Sequence, residues 1–147
     1  MMFAIQFLVS MFAVISFAII FSAPMKELFL CGLTGALGWI VYYALVQVDY
    51  SNVFASLIAT LILTVFARSF AVIRKRPVTL YLLTGIFSLV PGAGIYYTAF
   101  YLITGDNAKF SSYGLNTFEV AGAIVFGIIF GFAVPQALLN KLPSQKR

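Results

Sequence analysis

The stretch that decides the fold is VTLYLLTGIFSLVPGAGIYYTAFYLIT, which runs from Val78 to Thr104. It contains no charged residue, and as a helix it would be ~40 Å long, which is enough to cross a hydrocarbon core of ~30 Å. At its middle, Pro91 removes a backbone donor, and Gly92 and Gly94 permit conformations that other residues avoid. The pattern predicts a membrane-spanning helix that is interrupted halfway.

Four similar apolar stretches surround this one, at residues 3–21, 28–48, 53–73 and 120–139. Each is close to the ~20 residues that a membrane helix needs. In lipid the backbone must satisfy its own hydrogen bonds, so each stretch is predicted to be helical. We therefore predict an all-α, polytopic transmembrane helical bundle that forms a single domain over residues 1–147. It has five spans, and the fourth is a discontinuous helix over residues 78–104.

The composition excludes a soluble protein, because 63% of the residues are hydrophobic and only 9% are charged. A soluble domain carries roughly 25% charged residues. The chain has no histidine, which removes the commonest general base and metal ligand. The single Cys31 lies in an apolar run and is interpreted as a packing residue. We predict no enzymatic activity, no metal and no cofactor.

The basic residues predict the orientation in the membrane. Lys109 lies on one side, seven other cations lie in the alternate connections and the tail, and Arg68 lies within the third span. The side with more Lys and Arg is normally cytoplasmic, so the N-terminus is predicted outside and the C-terminus in the cytoplasm. Because these cations are split between apolar runs, a nucleic-acid partner is not expected. The seven are Lys26, Arg74, Lys75, Arg76, Lys141, Lys146 and Arg147.

The interrupted helix is the first candidate site. A break near the bilayer midplane leaves unpaired amide groups, which persist only in a cavity lined by protein or water. The new half-helix N-terminus would attract a carboxylate. Pro91, Gly92, Ala93 and Gly94 are therefore candidate substrate-binding residues, and a simple packing kink is the alternative.

A polar stripe on the third helix is the second candidate. Ser56, Thr60, Thr64 and Arg68 recur every four residues and so share one face. Arg68 either faces a cavity, where it pairs with a substrate carboxylate or a partner's acid, or extends its side chain to the cytoplasmic headgroups. Thr60 and Thr64 are candidate substrate-binding residues with Arg68.

Two further patterns each allow two interpretations. Tyr96 and Tyr97 follow the break and either cap a binding cavity with their hydroxyl groups or belong to an interfacial aromatic belt. Gly127 and Gly131 form a GxxxG motif in the fifth helix, for which close helix packing is the default explanation.

The carboxylates limit the mechanism of a carrier. Glu27, Asp49 and Asp106 are placed in turns, and the polar connection from Gly105 to Glu119 is predicted to lie outside the membrane. A proton-driven carrier normally needs an acid within a span. Glu119, at the predicted start of the fifth helix, is the only candidate for proton coupling, and a plain surface acid is its alternative role. Either the coupling works differently, or another chain supplies the acid, which suggests part of a transporter.

The segment from Leu89 to Tyr96 (LVPGAGIY), preceded by Ala67-Arg68 and the basic turn ending in Pro77, resembles the C-terminal-half domain of the threonine/serine exporter family. The resemblance spans nearly the whole chain and implies the small subunit of a split exporter in a bacterial inner membrane. It implies proton-driven export of small polar carboxylate metabolites such as threonine and serine, or dicarboxylates such as succinate. It also implies a larger membrane subunit as partner.

Three functions therefore compete at this point. The first is a secondary transporter subunit, in contact with lipid, a small-molecule substrate and a partner in a hetero- or homo-oligomer. The second is a structural or assembly subunit that does not transport. The third is a homo-oligomeric channel, for which the polar stripe would have to run the length of a pore helix.

Overall fold

The computed structural model describes residues 2–135, which form helices and connecting turns and contain no strand. A single 3₁₀ turn, Met25–Glu27, precedes the second α-helix. The α-helices of this part of the chain are α1 Met2–Ile20, α2 Leu28–Gln47, α3 Asn52–Arg74, α4 Val78–Ile86, α5 Gly92–Thr104 and α6 Asn107–Ala133. Four of them are long and apolar enough to cross a membrane, namely α1, α2 with its preceding turn, α3 and α6. The first three agree closely with the predicted spans.

The fourth stretch is interrupted, as its sequence indicates. The helix α4 ends at Ile86, and α5 begins at Gly92. Between them Ser88 and Leu89 make short turn bonds back to Gly85 and Ile86, because Pro91 cannot donate to a continuing helical ladder. Gly92 and Gly94 themselves have helical backbones, since Gly105 is the only glycine with a positive φ in the described residues. The conformational freedom expected of these two glycines is therefore not used.

The contacts show which helices run in the same direction. Gly127 of α6 lies beside Thr60 of α3, and Gly131 lies beside Thr64, so these two helices are parallel. The same reasoning makes α4 antiparallel to α3, because Gly85 contacts Leu63 and Tyr81 contacts Phe70. The next helix, α5, is antiparallel to α6, because Gly94 contacts Thr117 and Thr98 contacts Gly114. The two halves α4 and α5 thus run the same way, as two parts of one interrupted helix.

Small residues let the helices approach closely at the core. A side chain on Gly127 would meet the backbone oxygen of Leu57 at 2.7 Å, and one on Gly131 would meet the Thr64 Cβ at 2.5 Å. The close packing expected of the GxxxG motif is therefore present, between α6 and α3. In α2, Gly35 is similarly packed against Val14 of α1. Cys31 is buried in the core between α2 and α4, as expected of a packing residue.

Residues 105–119 do not form the long connection that was predicted between the fourth and fifth spans. Only Gly105 and Asp106 connect α5 to α6, and the helix already begins at Asn107. The polar residues of this segment occur at helical spacing, so they lie along a helix surface instead of forming a loop. Described helix ends at Ala133, before Pro135, and the predicted end of the fifth span at 136–139 lies outside the described residues. So do the tail cations Lys141, Lys146 and Arg147.

The break lies near one end of α3. Ser88 donates to the Gly35 carbonyl oxygen, and Leu89 packs with Ala59, whereas residues 91–94 are level with Asn52 and Ser56 in the first turns of α3. The break is thus central in its own helix but not beside the middle of its neighbour, because α5 continues past the start of α3.

Candidate functional site

A polar cavity of 290 Å³ lies beside the break. It is bounded by α2, α3, the break and α6, and none of its lining residues is charged. Its polar character comes from amide, hydroxyl and indole groups of side chains on four different elements. The lining residues are Trp39, Tyr42, Asn52, Ser56, Ser88, Leu89, Val90, Pro91, Gly92, Ala93, Gly94, Asn116, Thr117 and Val120.

The N-terminus of α5 is part of the wall of this polar cavity. Gly92 N–H donates to Val90 and Ile95 N–H to Pro91, but the N–H groups of Ala93 and Gly94 find no acceptor in residues 2–135. No side chain caps this terminus. The first-turn amides of a helix carry a partial positive charge and favour an anionic group. The cavity therefore combines neutral polar side chains with one electropositive backbone end.

The two glycines of the break meet different surroundings. A side chain on Gly92 would meet nothing within 4 Å, whereas one on Gly94 would lie 2.4 Å from the Thr117 Oγ1 atom. Gly92 thus borders open space, and Gly94 lets α5 and α6 approach each other. Pro91, Gly92, Ala93 and Gly94, the four candidates from the break, are together at one cavity.

An apolar cavity of 690 Å³ lies on the other side of the same break. Its walls come from α5 and α6, and Val90, Pro91 and Thr117 line both this cavity and the polar one. The remaining walls are mostly hydrocarbon, including the exposed Phe118. The break therefore separates a polar hollow inside the bundle from an apolar groove between α5 and α6.

The polar stripe of α3 divides into two parts. Ser56 lines the polar cavity, but Thr60 and Thr64 are fully buried against the glycines of α6. Thr64 Oγ1 donates to the Thr60 carbonyl oxygen at 2.8 Å, and Thr60 Oγ1 has no partner among the described residues. The structure places both threonines in a helix interface, away from the residues that line the cavity.

Arg68 is bound to the C-terminal end of α6. Its side chain donates from one terminal nitrogen to the carbonyl oxygens of Gly131, Phe132 and Val134 at 2.7, 3.1 and 2.8 Å. The residue is only 7% exposed, and its guanidinium carbon lies 5.5 Å from the centre of the Phe132 ring. A cation at a helix C-terminus compensates the unpaired carbonyl groups there. This contact differs from both interpretations of Arg68, since it involves neither the polar cavity nor an extended, exposed side chain.

Tyr96 and Tyr97 lie on the outer side of α5, where 62% and 42% of their surfaces are exposed. They stack within an aromatic cluster that includes Phe100, Tyr101 and Tyr113. Neither tyrosine lines the polar cavity or the apolar one. In the described chain, no cavity lies beside these two tyrosines in which they could contact a substrate, as one of the two interpretations proposed.

Glu119 does not start a helix, because it lies near the middle of α6. It is exposed on the helix surface and makes no hydrogen bond or ion pair with residues 2–135. Glu119 nevertheless lies within α6, which is one of the candidate membrane helices. An unpaired carboxylate at such a position is costly in lipid and is normally covered by protein or water.

Sequence reasoning missed several cavity residues. Asn116 was assigned to a loop, and Asn52 and Trp39 were not singled out. The Trp39 indole N–H donates to the Gln6 Oε1 atom at 2.8 Å, which fixes the ring at the cavity wall. The one signal in the sequence is that Asn116 precedes Glu119 by three residues, which is about one helical turn and indicates a helix.

A second missed group lies at the opposite end of the bundle. Glu27 is only 2% exposed and accepts two hydrogen bonds of 3.1 Å from Arg74 and one of 2.7 Å from the Tyr81 hydroxyl group. Arg76 approaches the same carboxylate at 3.7 Å. These contacts join the start of α2 to the end of α3 and the start of α4. Glu27 thus lies in a turn, as predicted, but it is buried there in a structural ion pair.

Comparison with known proteins gives one family. A family model described as "Threonine/Serine exporter, ThrE" matches residues 6–134, which include all the helices described above except the first few residues of α1. No curated protein and no solved structure matches the chain significantly. The match covers the polar cavity, the break and the parallel pair α3 and α6. The chain therefore belongs to the threonine/serine exporter family, whose members are multi-pass membrane transporters and not enzymes.

Proposed function

We propose that the chain is the small subunit of a secondary transporter that exports threonine- or serine-type amino acids. The observation that carries this proposal is the polar cavity at the helix break. Ala93 and Gly94 line it together with neutral polar side chains, and their N–H groups have no acceptor in residues 2–135. A substrate carboxylate would accept hydrogen bonds from these amides. Asn52, Ser56 and Asn116 would bind the rest of the molecule.

The lining of the cavity favours an amino acid over a dicarboxylate. One helix N-terminus can compensate one carboxylate, and no Lys or Arg lines the cavity to compensate a second. The ammonium group of an amino acid would instead meet amide and hydroxyl oxygens and the rings of Trp39 and Tyr42, which attract cations. A succinate-type substrate remains the alternative, and competition between serine and succinate in a transport assay distinguishes the two.

The proposed topology has five crossings, with α4 and α5 together forming the fourth. It is supported by the alternating directions of α3, α4–α5 and α6. Lys26, Arg74, Lys75 and Arg76 gather at one end of the bundle, and by the positive-inside rule that end is cytoplasmic. The N-terminus would then be outside and the C-terminus inside, in the inner membrane of a bacterium.

The helix α5 and residues 107–119 of α6 form an antiparallel pair, here called the α5–α6 hairpin. A larger membrane subunit is proposed to cover this hairpin. No residue of α5 is buried, and every buried residue of α6 lies at Val120 or beyond. Because Gly127 is level with Leu57 and Leu61, residues 107–119 extend ~20 Å past the start of α3. Large apolar side chains remain uncovered there, including Ile103 and Phe118, which are 84% and 78% exposed.

Copurification of subunits tests this assignment. Phe118→Lys places a charge on the uncovered face and should release the larger subunit without unfolding the small one. Phe130→Lys, on an exposed part of α6 beyond the hairpin, is the matched control. Retention of the partner by the Phe118 variant, or no copurifying subunit in the native chain, would contradict the proposed interface.

Proton coupling is proposed to involve Glu119. The carboxylate is unpaired among the described residues and lies three residues from Asn116 of the polar cavity, on the hairpin that the partner would cover. Glu119→Gln should abolish export driven by a pH gradient but preserve exchange of labelled for unlabelled substrate. Unchanged gradient-driven export would assign Glu119 to the surface instead.

The cavity itself is tested by filling it. Gly92→Leu adds a side chain where nothing lies within 4 Å, so it should block the polar cavity and abolish export while folding and assembly remain normal. Gly122→Leu is the matched control, because that glycine also has open space but lines neither cavity. If Gly92→Leu exports normally, the break does not bind substrate. If it loses assembly as well as export, the chain is a structural subunit whose break only packs helices.

A further inference from the structure

A third cavity lies at the basic end of the bundle, away from the break. It has a volume of 360 Å³ and is bounded by the end of α1, the turn that follows it and the first two turns of α4. Apolar walls come from Phe21, Pro24, Leu80 and Leu83. Phe21 and Leu83 are 45% and 51% exposed, so the cavity is open on its side and forms a groove along the outer surface. The polar lining is Arg76, Thr79 and Thr84.

The charges around this groove are unbalanced. Lys26, Arg74, Lys75 and Arg76 lie at this end of the described chain, and Glu27 is the only carboxylate among them. Glu27 is bound closely by Arg74, through two hydrogen bonds of 3.1 Å. Its distance to Arg76 is longer, 3.7 Å, and the Arg76 side chain is 48% exposed at the mouth of the groove. Arg76 can therefore offer most of its donors to another anion.

We propose that this groove binds one anionic phospholipid, with its phosphate on Arg76 and an acyl chain along Phe21, Leu80 and Leu83. An Arg guanidinium recognises a phosphate through two parallel hydrogen bonds, and Thr79 at the same mouth adds a hydroxyl donor. The site is separate from the polar cavity, because the two share no lining residue. Basic pockets between helices on the cytoplasmic side are suited to such headgroups.

The shape of the groove favours a lipid over a free anion. A small anion such as phosphate would occupy only the mouth and leave the exposed Phe21 and Leu83 uncovered. An acyl chain covers both, and burying its methylene groups adds to the affinity of the headgroup contact. The bound lipid would also contact α1, α4 and the turn between α1 and α2 at once, and so hold these elements together.

The test measures binding of phosphatidylglycerol and phosphatidylcholine to the delipidated full-length chain, purified with any subunit that accompanies it, by native mass spectrometry. Phosphatidylglycerol should bind more tightly, and Arg76→Gln should weaken it about five- to tenfold. Leu83→Trp should weaken it as well, because it fills the groove without changing the charge. Lys75→Gln is the control, since this adjacent cation does not line the groove and its loss should change the affinity less than twofold.

Three results would overturn the proposal. Equal affinity for the two lipids would show that the headgroup charge does not contribute to binding. Equal effects of Arg76→Gln and Lys75→Gln would show that the lipid is attracted by the general surface charge and not by a site at Arg76. The third result has two parts: glycerol 3-phosphate displaces phosphatidylglycerol from the wild type, and it binds Leu83→Trp as well as it binds the wild type. Together these would identify a site for a free anion. Leu83 is half exposed, so its substitution leaves the core intact and the test interpretable.

Discussion

The glycine pair of α6 and the glycine that begins α5 have opposite surroundings. Gly127 and Gly131 of α6 are pressed against α3, where added side chains would meet Leu57, Thr60 and Thr64 within 3 Å. Gly92 at the break borders a cavity and meets nothing within 4 Å. The first region is a dry seam between parallel helices, and the second is a hollow. The comparison teaches that a polar residue on α3 is structural where α6 approaches it and accessible where α6 diverges from it.

The largest effect should come from adding volume to the seam. Gly127→Leu forces α3 and α6 apart, because its first side-chain atom would lie 2.7 Å from a backbone oxygen that cannot rotate away. We expect the free energy of unfolding to fall by several kcal/mol, with little folded protein left, since smaller overpacking changes already cost ~1–3 kcal/mol. Thermal unfolding in detergent measures this, with Gly122→Leu as control. A normal melting temperature would show that the seam is not closed.

The end of the seam should be nearly as sensitive. Arg68→Met keeps much of the side-chain volume but removes the donor to three carbonyl oxygens at the C-terminus of α6. Leaving such groups without partners costs about 3 kcal/mol in total. The loss should appear as a lower unfolding temperature, with substrate affinity unchanged in the protein that remains folded. If the variant has normal stability but does not bind substrate, Arg68 belongs to the binding site and not to the seam.

A smaller effect is expected where the seam meets the hollow. Gly94→Ala places a methyl group 2.4 Å from the Thr117 Oγ1 atom, so Thr117 must rotate and lose its 2.7 Å hydrogen bond to the Tyr113 carbonyl oxygen. We expect a destabilisation of about 1 kcal/mol. In a Thr117→Ala background the same change should be nearly neutral, which a double-mutant cycle measures. Additive effects would mean that the two residues are not in contact.

The smallest effect concerns the tip of the α5–α6 hairpin. The backbone N–H of Lys109 and then its ammonium group hold the pKa of Asp106 below the ordinary value of 3.8. A depressed pKa means that the contribution of Asp106 to stability is complete above that ordinary value and is lost as the pH falls below it. Asp106→Asn should flatten this part of the stability curve between pH 5 and about 2. An identical curve for both proteins would show that the Asp106 carboxylate does not stabilise the first turn of α6.

Much of the fold could be predicted from the sequence. The spans 3–21, 28–48 and 53–73 end within one residue of the observed helices, and the interruption near Pro91 is present. The start of the last helix was missed because Ser112, Asn116 and Glu119 lower the local hydropathy without breaking the helix. Their spacing of four and three residues is helical, but an average over the segment conceals it.

The candidate site was predicted only in part. Pro91 to Gly94 do line a polar cavity, whereas Thr60, Thr64 and Arg68 contact α6. A stripe on one helix specifies a face but does not specify what that face meets. The partners of Arg68 are more than 60 residues away in the sequence, and Asn52 and Asn116 reach the same cavity from different helices.

The sequence by itself determined that the chain is a bundle of lipid-compatible helices with one interruption. Hydropathy and the missing donor of proline act locally, so neighbouring residues suffice to fix them. Only the tertiary structure decided which polar groups are buried in a helix interface and which are accessible from a cavity. That choice depends on how closely α6 approaches α3 and α5 along its length, and the approach is set by contacts between small residues far apart in the chain.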